Sequence, residues 1–379
     1  GAELSRDVVA CPGADTCNGA ACDAPGEPPG RVPGLFVFVD ANSRDPGVVV
    51  LGSVGDARER LRVVVARSGA VSVLAEDGSA ITVGAGCVHP NPAQMRLVTC
   101  TPPGPIHFLL AYLGDGDDRF VIQGGIPREA TSHVSGGAGD DTLIGGEGED
   151  VLFSGPNGRD TLTGNGGDDA LLSESPAMDP STRGERYAGG ADTLDGGPGN
   201  DQLVSDYPCG GHFFIGGPGI DIAGFRRSTG TRPPFYGINA QLGGPAAVRQ
   251  TFHGRAFNPA RCALDPWGTH IAGDLEVLEG ADGDDNLFGN DQNNIIWAWG
   301  GRDTVLGYGG NDHLYGHEGD DEIYGGDGRD VLRGGGGFDR LFARDGVADQ
   351  EIDCGEGGGR IETLDRNDPP AVRCSGAQP

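Results

Sequence analysis

Fourteen aspartates recur at one position of a nine-residue pattern, and a regular supply of carboxylates in glycine-rich turns points to the binding of hard cations. Residues 280–342 read GADGDDNLF, GNDQNNIIW, AWGGRDTVL, GYGGNDHLY, GHEGDDEIY, GGDGRDVLR and GGGGFDRLF, with no slip of register. Glycine holds position 4 in six of these seven blocks, and aspartate holds position 6 in six. Position 8 is apolar in all of them: Leu287, Ile296, Val305, Leu314, Ile323, Leu332 and Leu341. Earlier blocks follow the pattern with interruptions. LGDGDDRFV occupies 113–121, and GGAGDDTLI and GGEGEDVLF run through 136–153. GPNGRDTLT and GNGGDDALL follow one extra residue, Ser154. YAGGADTLD and GGPGNDQLV fill 187–204, and GGPGIDIAG occupies 216–224. Of fifteen blocks, fourteen carry Gly at position 4 and fourteen carry Asp at position 6, which excludes a glycine-rich disordered tract.

The spacing has a physical reading. Six residues of Gly and Asp make a turn, because Gly tolerates positive φ. Three residues make a short strand whose middle side chain faces inward. Two such units close one coil, and stacked coils lie one strand spacing, about 4.8 Å, apart. Turns on the same side are then two blocks apart. Asp285, Asp303, Asp321 and Asp339 are expected in one column, and Asn294, Asp312 and Asp330 in the opposite one. Such carboxylates would repel each other, and the turn carbonyls would lack donors. A calcium ion between successive turns answers both problems with six to eight oxygen ligands.

On these blocks the chain resembles the RTX family (repeats in toxin, the haemolysin-type calcium-binding nonapeptide repeat) of secreted bacterial proteins, whose consensus is GGxGxDxUx. The resemblance implies an all-β fold, a right-handed parallel β-roll with calcium in its turns, that folds on binding the ion after secretion. It implies calcium ligation by Asp118, Asp141, Asp150, Asp160, Asp169, Asp192, Asp201, Asp221, Asp285, Asp303, Asp312, Asp321, Asp330 and Asp339, together with turn carbonyls. The block GNDQNNIIW departs at positions 4 and 6, so ligation does not carry over to Gln292 or Asn294.

Composition agrees with a thin, cation-loaded solenoid. Only 36% of the 379 residues are hydrophobic, 71 are Gly, and the formal net charge is −29. Such a polyanion repels nucleic acid and anionic membranes, and bound cations would offset its self-repulsion. All 27 basic residues are Arg, which excludes Schiff-base chemistry through lysine. No apolar run is long enough for a transmembrane helix. The opening Gly-Ala-Glu-Leu-Ser reads as the start of a mature exported product. Nine scattered cysteines suit an oxidising compartment rather than a zinc site. The expected pairs are Cys87–Cys100, Cys209–Cys262 and Cys354–Cys374; Cys11, Cys17 and Cys22 then supply one bridge and one spare thiol.

The organisation reads as a Cys/Pro/Gly-rich segment (1–34), a β region that caps the roll or continues it without calcium (35–112), and a first array with insertions (113–224). An insertion that stays in the stack (225–279), a regular array (280–342) and a disulfide-stapled cap (343–379) follow. An independent sandwich is the alternative for 35–112. Catalytic signatures are missing. His317-Glu318 lacks the second His of HExxH, GxSxG is absent, and the pair Asp320–Asp321 falls in a repeat turn. No enzyme is therefore expected. The function expected is an extracellular calcium-binding structural protein of a matrix, surface or filament. The alternative is a calcium-dependent secretion or folding module, or an adhesin domain, associated with a secreted enzyme or toxin. Outward position-9 residues Phe288, Leu306, Tyr324 and Phe342, with Trp297 and Tyr315 opposite, mark a face for self-association or a ladder that merely stacks on itself.

Overall fold

The inward residue of each three-residue strand sets the architecture. In the computed structural model, which describes residues 34–40, 46–52, 58–66, 68–124, 130–155, 158–173, 191–205, 212–225, 239–243, 270–272 and 274–376, these residues form two facing walls of parallel strands. Leu287, Val305, Ile323 and Leu341 lie in register on one wall. Ile296, Leu314 and Leu332 lie in register on the other. All seven are fully buried, as are Leu143, Leu152, Leu162, Leu171, Leu194 and Leu203 in the earlier blocks. The core is thus one file of aliphatic side chains per wall. Truncating any of them to Ala should cost about 2–5 kcal/mol. Among the described residues there is no helix, and the fold is all-β.

One wall is a continuous fourteen-stranded sheet, and the other is divided into sheets of ten and seven strands. At the N-terminal end the strands turn antiparallel. Phe36–Asp40 pairs antiparallel with Gly47–Leu51, which then pairs parallel with Phe108–Asp115. Arg60–Val65, Val71–Ala75 and Leu97–Cys100 form an antiparallel meander that joins the second wall by pairing parallel with Arg119–Gln123. Strands of this region belong to the fourteen-stranded and ten-stranded sheets. The Cys87–Cys100 disulfide ties its outer strands.

Residues from the interruption at 225–279 also enter the walls. Asn239–Gln241 pairs with Asn286–Phe288, and His270–Ile271 pairs with Phe213–Ile215. Val277–Glu279 fills the continuous wall between Ile222–Gly224 and Ile295–Trp297. At the other end Glu351–Gly355 is the last strand of one wall, Gly359–Thr363 and then Ser375–Gly376 end the other, and the Cys354–Cys374 disulfide links the segments. Cys209–Cys262, Cys11, Cys17 and Cys22 lie outside the described residues.

The ladder of Phe288, Leu306, Tyr324 and Phe342 is in register, and its members shield one another. Tyr324 and Phe342 stack with ring centroids 4.1 Å apart, and Phe288 is itself buried. On the opposite wall Trp297 neighbours Tyr315, and Arg333 lies over the Tyr315 ring.

Candidate metal centre

Position 4 explains why the turns stack so closely. A Cβ built on Gly319 would lie 1.5 Å from the carbonyl oxygen of Gly301, and one on Gly328 would lie 1.6 Å from that of Gly310. Glycine is needed there for close backbone approach as well as for positive φ. Position 1 leaves a different space. A Cβ on Gly307 would lie 2.2 Å from Oδ2 of Asp312 and 2.4 Å from the carbonyl oxygen of Gly325, one coil further on. Gly316 stands in the same relation to Asp321 and Gly334. Each such pocket therefore brings one carboxylate oxygen and one carbonyl oxygen around a single point.

The position-6 aspartates are joined into columns by their other oxygen. Asp285, Asp303 and Asp321 each donate a backbone N–H to Oδ1 of the next, ending on Asp339, at 2.8–3.0 Å. In the opposite column Asn294 donates to Asp312 and Asp312 to Asp330. The first array repeats this arrangement. One column runs Asp118, Asp141, Asp160, Asp192, and the other runs Asp150, Asp169, Asp201, Asp221. All fourteen aspartates are buried.

Their second oxygens divide them. Oδ2 of Asp118, Asp141, Asp169, Asp201, Asp221, Asp303, Asp312, Asp321 and Asp339 is buried and has no hydrogen-bond partner. Oδ2 of Asp150 accepts the Gly146 N–H, that of Asp285 the Ala281 N–H, and that of Asp192 the Ser173 hydroxyl. Burial pushes Asp160 and Asp303 up to about 9, Asp169 up to about 8, and Asp141, Asp201, Asp312 and Asp321 up to about 7. Like-charged neighbours add to this, and the backbone N–H bond to Oδ1 opposes it. Asp150, Asp221, Asp330 and Asp339 rise to about 6, again through burial. Burial also raises Asp118 and Asp192, the latter held back by His212.

Buried anionic oxygens beside carbonyl oxygens suit a hard divalent cation, since such an ion would supply the positive charge the turns lack. Among the described residues no three His, Cys, Asp or Glu side chains converge on one point. That fits a site made chiefly of backbone carbonyls with one carboxylate, and not a Cys/His zinc site. A family profile for the RTX calcium-binding nonapeptide repeat (4 copies) matches residues 132–156, 157–175, 188–206, 279–314 and 306–341. The chain carries RTX repeats. No curated protein matches it. RTX nonapeptides bind calcium, and the columns supply the donors that ion takes.

Several column positions escaped the nine-residue count. Asp192 donates its N–H to Nδ1 of His212, Asp221 to Glu276, and Glu59 to Asp118. The column of Asp330 runs past the last repeat through Asp349 to Asp368. Asn294 keeps its place in the column with a neutral amide, bonded within its own turn to Asn290. Position 5 forms a second, exposed ladder of opposite sense. Arg302 donates its N–H to Asp284, Asn311 to Asn293, and Phe338 to Asp320.

Proposed function

We propose that this chain is an extracellular calcium-binding protein whose right-handed β-roll folds when its aspartate columns load, and that it serves as a structural element of a matrix, surface or filament. The observation carrying this reading is the set of nine buried Oδ2 atoms with no hydrogen-bond partner, of which those of Asp141, Asp169, Asp312 and Asp321 face a carbonyl oxygen across a position-1 glycine. Without a cation, each would be a desolvated charge or a protonated acid. Calcium at extracellular concentrations is sufficient for sites of this class, whose dissociation constants run to about 0.1–1 mM. Binding free energy then becomes folding free energy. RTX proteins are typically secreted, and the net charge of −29 favours a calcium-rich surrounding.

No catalytic role is proposed. The close pair Asp320–Asp321 divides between two environments: Asp321 is buried in its column, and Asp320 is exposed and accepts the Phe338 N–H. Self-association would use the in-register outward ladder.

The test is circular dichroism and small-angle scattering of the full chain in chelator, then in about 5 mM calcium or magnesium, roughly 5 to 50 times the site constants. Calcium should restore the β signal and compaction, and magnesium should do so poorly. A native-like spectrum in excess chelator would sink the reading. Electron microscopy in calcium tests the structural role, and isolated particles at all concentrations would count against filament formation.

A further inference from the structure

We propose that the C-terminal cap holds a calcium site of its own, outside the nonapeptide repeats, built on the buried carboxylate of Asp349, which has the bonding pattern of a repeat aspartate. The proposal rests on the reading that the repeats bind calcium, and extends it to a segment without the repeat motif.

The last block ends at Phe342, and the matched repeats end at residue 341. Asp349 nevertheless has the bonding pattern of a column aspartate. It is 6% exposed. Its Oδ1 accepts the Asp330 N–H at 2.9 Å, and its Oδ2 is buried with no hydrogen-bond partner. That is the arrangement at Asp321, whose Oδ1 accepts the Asp303 N–H. Asp368 stands one coil further on, accepting the Asp349 N–H at 3.1 Å on Oδ1 and the Asp365 N–H on Oδ2. Asp345 reaches back to the preceding turn, where its Oδ2 accepts the Gly328 N–H at 2.7 Å. Asp349 is thus joined through backbone N–H groups to the last repeat turn and to Asp368, and its buried Oδ2 is left open as at the repeat aspartates. The charged groups acting on Asp349 are Asp330, Asp368 and Asp345, all anionic. With only oxygen donors, the ligand class is a hard divalent cation, and calcium suits it better than zinc.

The extension is confined to one wall. On the other, Gly359 stands in register with Asp339, and the carboxylate column stops. A cation at Asp349 would therefore join the last repeat turn to the cap, on the wall whose final strand carries Cys354 and where Asp353 pairs with Arg373. Docking of residues 343–374 should then depend on calcium as well as on the disulfide.

The experiment compares full-length protein with Asp349→Asn, which keeps an Oδ1 acceptor for Asp330 and removes the charge. Calcium per chain is measured by equilibrium dialysis, and hydrogen exchange is followed by mass spectrometry in saturating calcium. One equivalent fewer per chain, with exchange raised across the cap and unchanged in the 280–342 array, is the expected result. Unchanged stoichiometry overturns the cap site and leaves the repeat sites standing. A wild-type chain that binds no calcium overturns both readings. Should Asp349→Asn fail to fold, Asp349→Ser, which also removes the charge, gives the same two measurements, and unchanged stoichiometry there overturns the proposal equally.

Discussion

The backbone N–H of Asp303 donates to Oδ1 of Asp321, 2.8 Å away and 18 residues along the chain. One oxygen of the carboxylate fixes the spacing of two coils, and the other lies beside a carbonyl of the next. Replacing Asp321 by Asn should keep the first role and weaken the second. Replacing it by Ala removes both and leaves a buried N–H without an acceptor, a further loss of about 1–3 kcal/mol. Calcium titrations followed by circular dichroism should show midpoints rising from wild type to Asp321→Asn to Asp321→Ala. Asn294→Ala should shift the midpoint less than Asp321→Ala, because no carboxylate is lost. Equal shifts for those two Ala variants would refute the assignment of columns.

Glycine at position 4 should be far less replaceable than the open glycine of the cap. Gly319 has φ of +138° and the Gly301 carbonyl oxygen 1.5 Å from any added Cβ. Gly346, in the cap, has φ of +98° and open space. Gly319→Ala should destabilise the calcium-bound state by about 2–4 kcal/mol, through overpacking and strain together. Gly346→Ala should lose about 1 kcal/mol from backbone strain alone. Chemical denaturation in saturating calcium separates the two, and similar losses would show that coil spacing relaxes easily.

Acid should partly replace calcium. Burial raises Asp303 from its ordinary 3.8 to about 9 and Asp321 to about 7, so the folded chain holds protons that the unfolded chain has released. The stability these groups give the calcium-free roll is present below about pH 4 and is lost as pH rises through 7 to 9. In chelator, β signal should be greater at pH 5 than at pH 8. Calcium affinity should run the opposite way, strengthening as pH rises, because protons and calcium compete for the same oxygens. A chelated chain equally unfolded at both pH values would contradict this.

The regular array was readable because a strict period reports two things at once: which side chain faces inward and which turns share a side. The columns of Asp303 and Asp312 follow from counting alone. Counting fails wherever an insertion lengthens a coil. His212 and Glu276 occupy column positions after irregular stretches, and Asp349 follows a turn one residue longer than its predecessors. Position 5 was missed for another reason. An exposed aspartate such as Asp320 reads as a solubilising charge, and only the structure shows it accepting the N–H of Phe338. The strands of 35–112 were legible from their β-branched runs. Their antiparallel pairing was not, because alternation along a strand carries no information about its neighbour's direction.

The aromatic ladder should contribute to stability whether or not it binds a partner. Tyr324→Ser removes the stack on Phe342 and should lower unfolding free energy in calcium by about 1 kcal/mol beyond the loss of buried area. A double variant, Leu306→Ser with Tyr324→Ser, examined by light scattering tests self-association. Unchanged scattering with folding intact would remove this face as a contact between molecules.

The outermost strands of the walls at the N-terminal end, among the described residues, are Thr82–Val83 and Cys87–Val88. At the C-terminal end the seven-stranded wall finishes on Ser375–Gly376, and Val372 bridges Asp353 on the other. Rims this short give an incoming sheet almost no template to continue hydrogen bonding. A stack of parallel coils is open-ended in principle, and among the described residues each rim narrows to strands too short to seed another coil. Contacts between molecules are then favoured on the flanks of the roll over its ends.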